Sequence, residues 1–458
     1  MSGPDRALVH GLAVAGAATV RALRARGAEV IASDDAVDDA KRALAEELGV
    51  ELVAAPDAAR LERLVAASDV VVPAPGVPET HALFSIAADA GRPVWSELEL
   101  AYRWEQERPG GPRPMLAVTG TDGKTTTTLL AVEILAAAGV RAVAAGNTDV
   151  PLVAALDLDV DAFVVECTSF RLAWTECFRG DAAVWLNLAP DHLNWHTGMA
   201  SYEAAKARIF TQQRTGDVAI GYAEDPVVMH HLRRAPGRQR TFAATGADYH
   251  VAGRGADAVL TGPGGPLAAV AVMRRALPHD LTNGLAAAAL TIEPGLATPD
   301  AVAAALASFV GPPHRIELVG EADGVRWFND SKATTPHAAS VAIRAFESLV
   351  LIAGGSDKGL DLSPMADAAA GRVHAVVAIG ESAGKVAAAF RPVVAAGARL
   401  VTATTMAEAV DAAGELAAPG DVVLLSPGCA SFDWYGGYPE RGDDFRRLVR
   451  ARTAGGST

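Results

Sequence analysis

The chain has 458 residues, 50% of them hydrophobic and 21% charged, and its 54 acidic against 40 basic side chains leave a formal net charge of −14. This length exceeds what one ordinary core organises and indicates about three domains. The composition excludes a disordered chain, and the acidity excludes a general nucleic-acid binder.

No apolar run approaches the ~18 residues needed to cross a bilayer, and MSGPDR leads into a short strand without a charged-then-apolar signal pattern. Cys167, Cys177 and Cys429 lack metal-site spacing and do not make a disulfide framework, so a cytoplasmic location is expected. Apolar runs alternate with Ala-rich helical stretches throughout, the pattern of α/β layers around mostly parallel sheets. The first unit opens with ALVHGLAVAGAATVRALRARG and EVIASDD, a strand, a helix and a strand ending at Asp34 and Asp35. Its GLAVAG loop lacks the G-x-G-x-x-G spacing of a dinucleotide-dependent oxidoreductase. The unit continues through SDVVVPAPGV, Ser68 to Val77, to the helix-like SELELAYRWEQE. ERPGGPRP, Glu107 to Pro114, is dense in Pro and Gly and reads as a linker, so the first domain is expected over residues 1–108.

The second unit begins with the buried strand MLAV, Met115 to Val118, feeding directly into VTGTDGKTTT, Val118 to Thr127. Strand, Gly-rich loop and helix N-terminus together aim backbone N–H groups and the positive helix end at an anion. Gly120, Thr121, Asp122, Gly123, Lys124, Thr125 and Thr126 therefore form a candidate triphosphate cradle. In it Lys124 reaches the terminal phosphates and the Thr125 hydroxyl can ligate Mg²⁺. Only Thr121 and Asp122 separate the two glycines, where the usual loop has four residues.

Ligands of open α/β sheets gather at the carboxyl ends of strands. Glu166 ends DAFVVE, and Asp191 and His192 follow AVWLNLAP. A carboxylate and an imidazole beside a nucleotide loop suit a Mg²⁺ site. Taken singly, Glu166 reads equally well as a solvent-facing charge and His192 as an ordinary loop histidine. Lys206, fourteen residues after His192 on the helix SYEAAKARIF, reads singly as a solvated lysine. Short alternating runs between about Gly216 and Val272 indicate a small antiparallel portion.

GPPHR, Gly311 to Arg315, marks the next boundary, giving a central domain over 109–311 and a C-terminal one over 312–458. LVLIAGG, HAVVAIG and DVVLLSPG are the buried strands of that third unit. RWFNDSKATTPHAA packs Asn329, Asp330, Ser331, Lys332 and Thr334 into a strand-to-helix connection. The cluster either caps the following helix or presents donors to a substrate carboxylate.

In chain order, GTDGKTT, Glu166, the Asp191–His192 pair, Lys206 in AAKARI, HRIE, NDSKAT and LLSPGCASFD resemble the Mur ligases over nearly the whole chain. These are ATP-dependent amide-bond-forming enzymes of peptidoglycan precursor synthesis. NDSKAT is similar to the branch that adds D-glutamate to UDP-N-acetylmuramoyl-L-alanine. The resemblance implies a Rossmann-like UDP-binding domain, a central P-loop-type ATPase with a mostly parallel sheet, and a Rossmann-like C-terminal domain that brings the amino acid. It implies that ATP phosphorylates the acceptor carboxylate, that the amine attacks the acyl phosphate, and that phosphate leaves.

Carried residue by residue, the resemblance makes Lys124, Glu166, His192 and Lys206 catalytic. It gives two Mg²⁺ sites to Thr125, Glu166, His192 and Lys206, the last as a carbamate formed with CO₂. Asn283, Arg315 and Asp330 join the loop in holding ATP, and Asp34, Asp35 and Asn147 meet the UDP-muramyl substrate together with the Gly11–Gly16 loop. Thr334, Lys358, Ser431 and Tyr438 hold D-glutamate, Tyr438 standing where a phenylalanine is known. The implied protein is a cytoplasmic monomer with no nucleic-acid or membrane partner. Three positions depart from the pattern: Ala13 and Ala15 replace a glycine and a threonine, and Asp149 puts a carboxylate near the expected diphosphate. The alternatives are a sibling that adds another amino acid or uses an altered muramyl substrate, and a catalytically silent nucleotide-binding regulator. The presence of Lys124, Glu166, His192 and Lys206 speaks against the regulator.

Overall fold

AFVVE (Ala162–Glu166) and LVLIAG (Leu349–Gly354) are buried along their whole length, as parallel strands covered on both faces must be. The computed structural model describes residues 3–454, and the chain divides between Phe309 and Val310 into two units, each with its own sheets.

In the first unit β1 (Arg6–His10), β2 (Glu29–Asp34), β3 (Glu51–Ala54) and β4 (Val70–Pro73) form a parallel sheet in the order β3-β2-β1-β4. β5 (Met115–Thr119), β6 (Ala142–Gly146), β7 (Ala162–Glu166), β8 (Ala182–Trp185), β9 (Val218–Tyr222) and β10 (Arg238–Phe242) form a second parallel sheet, ordered β10-β9-β8-β5-β7-β6. The chain reverses direction across each sheet at β1 and at β5. The loops after these strands therefore lie at topological switch points, where such sheets bind ligands.

The small antiparallel portion expected between about Gly216 and Val272 is present. It holds only β11 (His250–Ala252), β12 (Val259–Gly262) and β13 (Gly265–Ala269), whereas β9 and β10 extend the parallel sheet. The cause is the helix Pro226–Leu232, which Asp225 caps through the N–H groups of Val227 and Val228, because a helical crossover returns the chain parallel.

One apolar cluster, including Val9, Leu98, Phe163 and Trp185, runs through both parallel sheets. The Pro/Gly-rich connection between them is anchored at Arg113, whose guanidinium pairs with Glu105 at 2.8–2.9 Å and donates to the carbonyls of Leu156 and Leu158 at 2.8 Å. On the other side of the second sheet, Leu116, Val118 and Ile134 pack with the Ala-rich helix Pro278–Ile292.

In the second unit β14 (Glu317–Ala322) pairs antiparallel with β15 (Val325–Asn329). β16 (Leu349–Gly354), β17 (Val373–Ile379), β18 (Arg399–Ala403) and β19 (Val422–Leu425) complete a sheet ordered β14-β15-β19-β16-β17-β18, parallel from β15 onward. No helix among the described residues is long and apolar enough to cross a membrane.

Candidate active site

The loop after β5 is already shaped by protein contacts. Asn187, just beyond β8, accepts the N–H groups of both Thr121 and Asp122 on its Oδ1, each at 2.9 Å. The Thr121 hydroxyl pairs with that of Tyr202 at 3.0 Å and accepts the Ala189 N–H at 3.0 Å. Gly123 caps the helix Lys124–Ala137 with φ +83°, and a Cβ there would lie 2.6 Å from Asn283 Oδ1, so the turn requires glycine. Asn283 also accepts the Thr127 hydroxyl at 3.3 Å. Lys124 curls back over the loop, its Nζ donating to the carbonyls of Gly120 at 2.9 Å and Thr121 at 2.8 Å. Thr125 and Thr126 follow it in the first turn, half-buried.

Around this loop the structure gathers three of the sequence-selected side chains. Glu166 is 1% exposed; its Oε1 accepts the Asn147 amide at 2.8 Å, while its Oε2 is buried without a hydrogen-bond partner among the described residues. Leaving a carboxylate oxygen without a donor is costly, and a bound cation would remove that cost. Lys206 is also 1% exposed and donates to the Gly120 carbonyl at 2.6 Å, so two lysines converge on one oxygen. Burial, and then the neighbouring Lys124 charge, push the Lys206 amine well below the usual lysine range.

The reading of Lys206 as a solvated lysine is thus corrected. It shares the buried stripe of helix Met199–Thr211 with Tyr202 and Ile209, one four residues before it and the other three after. That spacing was present in the sequence and places all three on one face.

His192 adopts a left-handed backbone with φ +55°, and its Nε2 lies 3.2 Å from the Asp191 carboxylate. Its ring meets Phe170 edge-on at 4.6 Å. Burial lowers its pKa and the Lys124 and Lys206 charges add to this, against the pull of Asp191, which leaves a neutral imidazole with a lone pair.

Behind Glu166 lies a chain that joins Asn147, expected beside the acceptor, to Arg171 and Glu97, which the sequence did not single out. The Asn147 Oδ1 accepts Arg171 Nη1 at 2.8 Å, and Arg171 Nε donates to Glu97 Oε1 at 3.0 Å. A guanidinium can only donate, so Arg171 fixes the Asn147 amide with its NH₂ toward Glu166. Burial pushes the Glu97 carboxyl up, with Arg171 opposing it. A second chain ties the His192 loop to the first sheet's edge, with His196 Nδ1 3.2 Å from Glu79 and its Nε2 2.9 Å from the Ser169 hydroxyl. Asp149 points into solvent.

The acidic pair after β2 divides into two roles. Asp34 is buried and both its oxygens are occupied: Oδ2 by the Leu12 N–H at 2.8 Å, Oδ1 by the Ala36 N–H at 2.9 Å, and both by Lys41 at 2.7–2.8 Å. Burial raises its pKa, but Lys41 and the two N–H groups outweigh that and hold it below the usual carboxylate range. Asp34 therefore braces the Gly11–Gly16 loop, and Asp35 is the exposed member of the pair.

In the second unit Asp330 accepts the Ile316 N–H at 3.2 Å and the Ser426 hydroxyl at 2.8 Å. Arg315 lies between His314 (φ +61°) and Ile316 (φ +46°), a left-handed bend. Thr335, not the NDSK residues, caps the helix Pro336–Arg344. Asn329 and Ser331 are turned inward: the Asn329 amide donates to the Gly442 carbonyl at 3.0 Å, and the Ser331 hydroxyl to the Tyr438 carbonyl at 2.8 Å. Arg441, missed in the sequence, donates to the carbonyls of Ser331, Ala430 and Cys429 at 2.8–3.1 Å. It thereby brings the segment leading to Thr334 beside Ser431 and Tyr438, at the carboxyl ends of β15 and β19. Lys358 is exposed on the loop after β16, two residues beyond Ser356, which bridges to Ala430.

Residues 118–289 match the Mur ligase middle domain, and residues 314–429 match the Mur ligase, glutamate ligase domain. The chain is 42% identical over 457 residues to the UDP-N-acetylmuramoylalanine–D-glutamate ligase of Frankia casuarinae, covering 97% of this chain and 94% of that one. It is 40% identical to the enzyme of the same name from Myxococcus xanthus, covering 98% of each. Among solved structures it is similar to a MurF ligase from Thermotoga maritima in complex with ADP. The TM-score is 0.58 at 17% identity, covering 84% of this chain and 95% of that one, a likeness of fold.

Proposed function

The chain belongs to the Mur ligase family, and on that premise we propose that it joins D-glutamate to UDP-N-acetylmuramoyl-L-alanine at the expense of ATP. The observation that carries the chemistry is the unpartnered Glu166 oxygen, set among Lys124, Lys206 and His192 beside a preformed phosphate loop. The choice of D-glutamate is supported by the two full-length relatives and by the NDSKAT segment.

We assign the UDP end of the acceptor to the β1–β4 sheet, ATP to the β5–β10 sheet and the amino acid to the β14–β19 sheet. These correspond to residues 1–108, 109–311 and 312–458. A carboxylate is a poor electrophile. Its attack on the γ-phosphorus releases ADP and forms an acyl phosphate; the amine then attacks the acyl carbon and phosphate leaves. Such phosphoryl transfer depends mainly on positioning and charge neutralisation. Lys124 supplies the positive charge, and the N–H groups at the helix N-terminus, Gly123 to Thr126, hold the phosphates, while those of Thr121 and Asp122 are engaged by Asn187 and shape the loop. Asn283, Arg315 and Asp330 contact the rest of the nucleotide.

Thr125, Glu166 and His192 would hold Mg²⁺, which when bound neutralises phosphate charge. Burial and the Lys124 charge favour the free-amine form of Lys206, the form that attacks CO₂, forming an N–C bond and releasing one proton, which turns a would-be cation into an anionic oxygen ligand. Asn147 and Asp35 meet the acceptor while Asp34 braces its loop. Thr334, Lys358, Ser431 and the backbone at Tyr438 supply donors for the side-chain carboxylate of D-glutamate. ADP release measured with UDP-N-acetylmuramoyl-L-alanine and each amino acid tests the reading. Release that depends on D-glutamate is expected, and release driven equally by L-glutamate would overturn it.

A further inference from the structure

A second cluster of ligating side chains lies apart from the ATP site, at the carboxyl ends of β1 and β2, and it includes Asp35, which the proposed function also places beside the acceptor. His10 ends β1, Asp35 follows β2, and His81 caps the helix Ala82–Asp89. The Asp35 Oδ2 lies 3.0 Å from His81 Nε2 and 3.6 Å from His10 Nε2, and one ligand atom from each of the three residues falls within 4.8 Å of the others. Donors around a tetrahedral ion sit roughly 3.4 Å apart when each is about 2.1 Å from the metal. The spacing needs only small closure.

We propose that His10, Asp35 and His81 form a site for one divalent first-row transition ion, Zn²⁺ or Co²⁺ in class. The donor set, two imidazoles and one carboxylate, selects these ions over Mg²⁺ and Ca²⁺, which take all-oxygen shells. His10 is prepared for the role: its ring is buried, and its Nδ1 is held at 2.9 Å by the buried Ser33 hydroxyl, which leaves Nε2 toward Asp35. An outer partner on the far ring nitrogen is how metal-bound histidines are oriented. The nearest competing charges cancel, since Lys41 is taken up by both oxygens of Asp34. Asp35 is half-exposed, so the remaining coordination positions open to water.

Binding changes the state of His81. Its Nδ1 accepts the Leu83 N–H at 3.1 Å, so in the metal-free ring the proton sits on Nε2. Ligation through Nε2 requires the other tautomer, and the Leu83 cap is released when the ion enters. The ion in turn would clamp three segments that are far apart in sequence.

The test is titration of the chelator-stripped full chain with Co²⁺, followed by its visible absorption, and with Zn²⁺ by calorimetry. One equivalent is expected to bind with a low-symmetry Co²⁺ spectrum, retained in Glu166→Gln, which removes the carboxylate of the ATP site. Asp35→Asn and His81→Asn should abolish that equivalent, and Ser33→Ala should weaken it about 10–100-fold. Asn keeps a helix cap at position 81, and position 35 is half-exposed, so both variants are expected to fold where His10→Ala risks the core. Equal Co²⁺ binding by the parent and Asp35→Asn, or no stoichiometric binding by the parent, would overturn the proposal.

Discussion

Replacing Arg171 by leucine tests the chain of contacts that runs from Glu97 through Asn147 to Glu166. The substitution removes the 3.0 Å bond to Glu97 and the 2.8 Å bond to Asn147, leaving a carboxylate that is 3% exposed with no cation. Removing one partner of a buried ion pair costs about 3–5 kcal/mol, most of it the penalty of the charge left behind. Arg171→Leu should therefore lose stability in that range at pH 7, and Glu97→Gln in the same chain should recover part of it.

The sign with pH follows from Glu97. Burial already raises its carboxyl above the ordinary 4.5, and loss of Arg171 raises it further. The folded state then holds a proton that the unfolded state has released, so stability falls as pH rises from about 4.5 through the raised value. The double variant lacks this slope. Activity should fall about 10–100-fold with a higher Mg²⁺ requirement, because the Asn147 amide is free to turn away from Glu166. Denaturant melts of the four proteins from pH 4 to 8, with Mg²⁺ titrations of turnover, provide the measurement. A cost below about 1 kcal/mol for Arg171→Leu, or a double variant no more stable than the single, would refute the reasoning.

Lys124→Ala should abolish phosphate release at saturating ATP while thermal melting is preserved; a loss under about tenfold, ~1.4 kcal/mol of barrier, removes it from the catalytic role. Lys206→Ala should be nearly inactive and partly rescued by small carboxylates. An ordered, unmodified Lys206 in a crystal with metal and nucleotide bound would defeat the carbamate. Lys358→Ala should raise the requirement for D-glutamate far more than that for ATP. Comparison of kcat/KM for D-glutamate, L-glutamate and D-aspartate on one acceptor checks the specificity, since a shorter side chain leaves donors unpaired at roughly 1–3 kcal/mol each.

The phosphate loop and the strand-end position of Glu166 were legible because both are local: a glycine pattern between an apolar strand and a helix, and a carboxylate closing an apolar run. Lys206 was legible too, had its four- and three-residue spacing to Tyr202 and Ile209 been weighed above its charge. Arg171 and Glu97 were not, since they stand 74 positions apart and nothing in the helix-like SELELAYRWEQE marks Glu97 as buried. Arg441 was hidden the same way, on a helix whose sequence reads as a solvated face. Asp34 and Asp35 look alike in sequence; only the placement of Lys41 and the Leu12 amide makes one a brace and leaves the other open. Within Gly216–Val272 the small antiparallel portion was legible, but its limits were not, because short, Gly-rich strands carry no mark of direction, which depends on the intervening crossover.

The apolar cluster shared by the first two sheets makes them one cooperative unit of opening. Leu98 and Tyr102 pack on the same core as Phe163 and Phe178, and Arg113 fastens the connecting segment to Glu105. A fluctuation that separates the β1–β4 layer from this core exposes apolar surface of the β5–β10 layer as well. The two parallel sheets thus share one core, and substitutions that loosen one are expected to be felt as lost order in the other.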